Sequence, residues 1–324
     1  FSGGLLMGGG IGSELANWIV DGEPHIDLGE VDPRRFGAYA NKVFTGVKNK
    51  EAFGHNFGIH YPGYEWPAGR PAKTAPCYDR LTRQGAVWGA VYGWEIPLWF
   101  APKGEEARDV WSYRTFNSMP HVGVECRAVR EGLGLYEMTP MSRFEVWGSG
   151  AETWLNQILA NRMPSKNGGI VLAHLLTNKG SVRCEFTVTR LGASHFYLIG
   201  TPRGERHDFD VLQKALPADG SVQLTNATFE RGGFTVVGPK ARQLLENLVD
   251  GDLTNDAFPW MSAQTLTVGL ASDVRMMRVN YEGELGWELY HPIAYNLHLY
   301  EEFCRAGESL GLRHCGYRSI ESLR

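Results

Sequence analysis

Three things are missing from this chain: an apolar run approaching the ~20 residues that cross a bilayer, a Lys/Arg-rich stretch, and any Cys-x-x-C pair. Each absence removes a class of function. Without the first, a membrane-spanning helix is excluded. Without the second, and with a formal charge of -4, neither nucleic acid nor an anionic membrane is expected as the main partner. The cysteines Cys77, Cys126, Cys184, Cys304 and Cys315 are odd in number and unpaired in spacing. They fit neither a disulfide framework nor a zinc cluster, and imply a reducing compartment. The ten histidines contain no H-x-x-x-H or similar pair, so no metal is expected. No cleavable signal pattern precedes the first expected helix, and the protein reads as soluble.

What is present is enough for two globular units: 324 residues, 43% hydrophobic and 21% charged. Gly8-Gly9-Gly10-Ile11-Gly12 runs into a segment whose apolar residues at 11, 15, 18 and 19 share a helical face. That reads as a glycine-rich helix start, where free amides favour anionic or carbonyl ligands, although tight packing is the default explanation of glycines taken alone. Phe36, Tyr39, Ala40, Val43, Phe44 and Val47 form a helical stripe assigned to core. Residues 54–76, rich in Gly, Pro and aromatics, read as a linker or extended cap.

Beyond residue 76 the pattern is mixed. Helices are expected around Val122–Leu133, Ala151–Leu159, Arg203–Leu216, after Pro239, and from Tyr295 to Leu310. Ser149 and Glu152 suggest a capping box. Strands are expected at Arg143–Gly148, Val182–Thr189, Phe196–Ile199 and Phe234–Val237. In Val182–Thr189, Arg183, Glu185, Thr187 and Thr189 make the polar face, and Glu185 taken alone is a solvated strand residue.

The most pointed segment is Arg278-Val-Asn-Tyr281-Glu-Gly283-Glu-Leu-Gly286-Trp-Glu288-Leu-Tyr-His291. Gly283 and Gly286 can supply the positive φ of a reversal between strands, which would bring Tyr281 and Glu288 together. A carboxylate beside a phenol suits the adjacent N–H donors of a pterin edge. A rim aromatic and a solvated charge would look the same.

Tyr-x-Gly-Glu-x-Gly-Trp-Glu resembles the folate-binding hairpin of the aminomethyltransferase (glycine-cleavage T-protein) superfamily, in the version found in dimethylglycine and sarcosine dehydrogenases. The same family is matched by Gly-Gly-Gly-x-Gly-x-Glu-Leu-Ala-x-Trp-Ile with Asp32-Pro-Arg-Arg-Phe36, and by Gly93-Trp-Glu-Ile-Pro-Leu-Trp99. The resemblance implies an α+β fold: residues 1–75 as the end of a flavin-dehydrogenase domain with its cap, and 76–324 as an aminomethyltransferase-like folate-binding region. It also implies an internal fragment, lacking an upstream nucleotide-binding unit and a C-terminal β-barrel.

On the site, the resemblance implies that Gly8, Gly9, Gly10 and Gly12 face the flavin of FAD. Tyr281 and Glu288 would hold tetrahydrofolate, and Glu137 and Thr139, in place of the family's Asp and Ser, would line its cavity. Glu185 takes the place of a catalytic Asp that stabilises positive charge and manages a proton during one-carbon transfer. The expected substrate is an N-methylated glycine, dimethylglycine or sarcosine. The expected electron acceptor is oxygen or an electron-transfer flavoprotein, and the location is cytoplasmic if bacterial or the mitochondrial matrix if eukaryotic. A non-catalytic regulatory paralogue and a stand-alone folate-dependent demethylase are the rival readings.

Overall fold

The computed structural model describes residues 4–324. Helices among them are α1 (Gly4–Asp21), α2 (Lys42–His55), α3 (Tyr78–Arg83), α4 (Met119–Glu131), α5 (Ala151–Ile158), α6 (Glu205–Lys214), α7 (Ala241–Glu246), α8 (Asn296–Gly307) and α9 (Tyr317–Leu323). The strands are β1 (Ala86–Val91), β2 (Trp94–Phe100), β3 (Gly134–Glu137), β4 (Ser142–Trp147), β5 (Ile170–Leu176), β6 (Val182–Gly192), β7 (His195–Gly200), β8 (Gln223–Asn226), β9 (Arg231–Val237), β10 (Ala263–Val268), β11 (Ala271–Met277), β12 (Gly286–Pro292) and β13 (Arg313–His314).

The expected α+β class is what forms. β1 and β2 make a hairpin, β5-β6-β7-β4-β8 an antiparallel sheet, and β10-β11-β12-β9-β3-β13 a larger sheet whose last pair is parallel. Alternation decides the layering. Cys184, Phe186 and Val188 of β6 join Phe144, Val146, Phe196 and Leu198 against Trp154 and Leu155 of α5 and Leu212 of α6. Phe234, Val236, Trp287 and Leu289 of the larger sheet pack on α7 and α8 through Leu244, Leu245, Leu299 and Phe303. At ~1.5–3 kcal/mol per buried large apolar side chain, these two cores dominate the stabilisation.

The other faces of the two sheets meet each other. Ile170, Tyr197 and Ile199 of the five-stranded sheet touch Met277 and Tyr290 of the six-stranded one. Beside them Glu145 of β4 is a charged tie: it accepts from His195 at 2.9 Å, pairs with Arg275 of β11 at 2.9 Å and lies 3.8 Å from Arg231 of β9. Burial alone would raise its carboxyl, but the His195 hydrogen bond and the Arg275 cation outweigh it and hold it at about 2.

Several local expectations need correction. The glycines at 8–12 do not start a helix: α1 already runs from Gly4, so Gly8, Gly9, Gly10 and Gly12 lie a turn or more inside it, with amides committed to i→i−4 bonding. Their surroundings are open, with no atom within 4 Å of a built Cβ. Ile11, Leu15 and Ile19 are exposed, as are Val43 and Val47 of α2, so neither stripe is core within this chain. The capping box is absent, since Gly150 is the N-cap of α5 and no side chain caps it.

Candidate functional site

The 281–291 segment forms an eight-residue loop, 278–285, followed by β12, not a tight reversal. Asn280 organises it: its Oδ1 accepts from Gly283 N at 2.8 Å, and its Nδ2 donates to the Glu284 carbonyl. Arg130 of α4 clamps the loop from outside, donating to the Glu282 carbonyl at 3.0 Å and to Glu284 Oε1 at 2.7 Å. Gly283 has φ +76° as expected. Gly286 does not use a positive φ. It is a strand glycine whose Cβ would lie 2.9 Å from the Val236 carbonyl oxygen, so its role is close strand approach.

Tyr281 and Glu288 consequently do not meet. Tyr281 is 60% exposed on the loop, while Glu288 is partly buried on β12 and no hydrogen bond joins them among the described residues. Glu288 instead accepts from Tyr290 Oη at 2.8 Å, because residues two apart on a strand share a face. Burial pushes its carboxyl up to about 7, with Glu282 adding to the rise and the Tyr290 bond and Arg143 opposing it. Tyr317 of α9 lies within electrostatic range of Tyr281, Glu288 and Glu137 and links loop, strand and helix.

Around Glu288 the inter-sheet space is polar. Tyr290 stacks on the Arg143 guanidinium at 5.1 Å and meets the Tyr197 ring at 6.0 Å. Arg143 is fully buried; its two terminal nitrogens donate to the Thr139 and Met138 carbonyls at 2.8 and 2.7 Å. Its Nε and the Tyr197 hydroxyl are buried with no hydrogen-bond partner among the described residues. Such orphaned groups are what a polar ligand or water would satisfy.

Glu137 and Thr139 are placed elsewhere. Glu137 is in register with Phe234, whose side chain faces the main core, and its Oε1 accepts from Thr139 N at 2.7 Å. The Thr139 hydroxyl accepts from Gly233 N and Asn296 Nδ2, both at 3.3 Å. The pair therefore braces the turn that presents Arg143, and does not itself share the Glu288 face. Burial raises Glu137 to about 7 as well.

Glu185 is on the inter-sheet face of β6. That face continues through Thr187 to buried Thr189, whose hydroxyl donates to Met277 Sδ at 3.6 Å, and Met277 is the register partner of Glu288. Four residue steps along the strand separate Glu185 from Thr189, roughly 13 Å. The polar face read from sequence is thus turned toward the second sheet, covered at Thr189 and open at Glu185. Glu185 Oε2 lies 2.7 Å from His174 Nε2, directly across in register on β5.

Sequence reasoning missed Tyr290 and Tyr197, which alternation within β12 and β7 could have placed, and His174, which needed the unforeseen strand β5. Among the described residues one trio of metal-ligating types does gather, Cys184, His207 and Asp208. Burial drives the thiol far up, and His207 Nδ1 sits 2.9 Å from Asp208 Oδ1. A cleft of about 720 Å³ lies apart from all of this, lined by Phe36, Tyr39, Trp66 and Tyr92. Two cations that line it are already paired, Lys48 with Glu51 and Arg70 with Glu95.

Comparison with known proteins gives two family matches along the chain. The GCVT N-terminal domain matches residues 77–324, and the FAD dependent oxidoreductase central domain matches 21–75. Mitochondrial dimethylglycine dehydrogenase of Rattus norvegicus is 34% identical over the whole chain, which spans 38% of that protein. Mitochondrial sarcosine dehydrogenase of Homo sapiens is 31% identical over 99% of the chain and 39% of its own length. The mitochondrial pyruvate dehydrogenase phosphatase regulatory subunit of Mus musculus is 31% identical over the whole chain and 38% of its own length. Among solved structures, glycine cleavage system aminomethyltransferase T from Bartonella henselae aligns with a TM-score of 0.63 and 25% identity, over 78% of this chain and 62% of that one. The chain therefore spans less than two fifths of these three sequence relatives.

Proposed function

Because the chain belongs to the GCVT N-terminal domain family and, over its whole length, to the dimethylglycine and sarcosine dehydrogenase group, we propose that it forms the tetrahydrofolate half of an FAD-dependent enzyme that demethylates an N-methylated glycine. The supporting observation is Glu288: a carboxyl on the inter-sheet face, fixed by Tyr290, whose ring meets the Tyr197 ring and the Arg143 guanidinium, with the Tyr197 hydroxyl and Arg143 Nε lacking a hydrogen-bond partner among the described residues. A pterin edge offers adjacent N–H donors to such a carboxylate and acceptors to the hydroxyl.

Bound tetrahydrofolate would supply the amine nitrogens that accept the one-carbon unit. The chain's own residues would position and protect. Glu288 accepts from the pterin, Tyr281 closes over it from the loop, and Glu185 stabilises positive charge and receives the proton released from the amine. Because the face is open at Glu185, water there would be excluded by the bound ligand itself, which would protect the incoming iminium carbon from hydrolysis to formaldehyde. The side-chain-free surface of α1 at Gly8, Gly9, Gly10 and Gly12 would lie toward the flavin. Dimethylglycine or sarcosine is the substrate class, oxygen or an electron-transfer flavoprotein the acceptor, and mitochondrial matrix or bacterial cytoplasm the location. A regulatory, non-catalytic member is the second reading, favoured by the 31% identity to the phosphatase regulatory subunit.

The test is calorimetric titration of tetrahydrofolate into the full-length protein. Glu288→Ala should weaken binding about ten-fold or more, and affinity should fall as pH drops through about 7, where the Glu288 carboxyl protonates. No heat with the unaltered protein, or equal affinity in the variant, refutes the folate reading.

A further inference from the structure

Glu185 is more constrained than a strand-surface carboxylate needs to be. Its neighbour two residues back, Arg183, is drawn away: its guanidinium pairs at 3.3 Å with Glu23, which Asn178 Nδ2 also engages at 3.2 Å. The remaining partner is the His174 imidazole at 2.7 Å. On the same face of β5, Leu172 is 45% and Leu176 39% exposed, one on either side of His174. Exposed leucines flanking an ion-pairing couple make a local apolar rim, of the kind that excludes water once a ligand covers it.

From this geometry we propose that His174 is a positioning residue for Glu185: it binds Oε2 and leaves Oε1 as the acceptor aimed at the ligand. The inference rests on the folate reading above. Its physical basis is the register. His174 and Glu185 are directly opposed across an antiparallel pair, so the imidazole meets the carboxylate without bending either strand. A carboxylate free on an open strand end samples several rotamers, and each wrong one misplaces the acceptor by an ångström or more. Holding one oxygen removes that freedom while leaving the charge in place.

A double-mutant cycle on the full-length protein tests this, read by both the calorimetric dissociation constant for tetrahydrofolate and the folate-dependent transfer rate. His174→Ala and Glu185→Gln should each weaken binding about ten-fold and slow transfer on the order of a hundred-fold. The double variant should be no worse than Glu185→Gln, because both changes remove one interaction. His174→Gln, which keeps an N–H donor, should recover most of the loss. If His174→Ala is silent, if the two losses multiply, or if His174→Gln is as impaired as His174→Ala while Glu185→Gln is still impaired, the positioning role is overturned and the folate reading stands. Absence of binding by the unaltered protein overturns both.

Discussion

Replacing Glu145 by Ala should cost about 3 kcal/mol at pH 7, reached by two routes. The first is geometric. Glu145 exposes 18% of its side chain, Arg275 8% and Arg231 11%, so the substitution strands one guanidinium between the sheets. Arg231 keeps Asp273, whereas among the described residues Arg275 keeps the Tyr197 ring face at 4.4 Å. Breaking a buried pair from one side costs about 3–5 kcal/mol. The second route is linkage. Lowering the carboxyl from 4.5 to about 2 corresponds to about 3 kcal/mol at 1.36 kcal/mol per unit, or about 2–3 once solvent screening at its exposed edge is allowed for.

The sign of the pH dependence follows from the direction of that shift. A folded-state pKa below the unfolded value contributes stability that is present above about 4.5 and is lost as pH falls toward 2. Urea unfolding at several pH values should therefore show a lower midpoint for Glu145→Ala at pH 7, at unchanged slope, with the difference shrinking below pH 4.5. Glu145→Gln, which keeps an acceptor without charge, should fall between. A loss under about 1 kcal/mol at pH 7, or a gap that stays constant down to pH 2, would refute the claim that this carboxylate ties the sheets together.

Two further outcomes follow. Burial raises the Glu288 and Glu137 carboxyls to about 7, so both favour folding most below about 4.5 and lose that contribution as pH climbs through 7; Glu288→Gln should flatten the decline in melting temperature between pH 5 and 8, and an unchanged decline would contradict its burial. Gly316→Ala should destabilise by at least about 2 kcal/mol, because a Cβ there would lie 2.3–2.5 Å from the backbone of Leu98 and Trp99 while Gly316 N donates to Glu125; wild-type stability in thermal unfolding would show that this contact relaxes easily.

Local pattern carried the parts of the fold that depend on neighbours in sequence. β6 emerged from alternation, β4, β7 and β9 were expected as strands near their observed bounds, and α4, α5, α6, α7 and α8 as helices. Contacts set by pairing between distant segments stayed hidden. The Tyr281–Glu288 clamp assumed a reversal closing directly between strands, whereas β11 stops at Met277 and Asn280 spends both side-chain polar atoms on the loop. Glu137 looked like a cavity residue by its place in a motif, but the register with Phe234 turns it to the other side of the sheet. The stripe on α1 was legible as a helix, and that of Phe36–Val47 only in its second half, because α2 begins at Lys42; both were misread as core, since helical spacing records an apolar face without saying what covers it.

The Glu23–Arg183 contact has an electrostatic corollary. Glu23 belongs to the stretch matched by the oxidoreductase central domain, and Arg183 lies on the same strand face as Glu185, one pleat away. One partly exposed ion pair thus joins the two matched stretches beside Glu185. Worth at most about 1 kcal/mol at that exposure, it acts as a local charge tie: displacing Glu23 would free Arg183 to face Glu185 on the same strand face and change the field around that carboxylate.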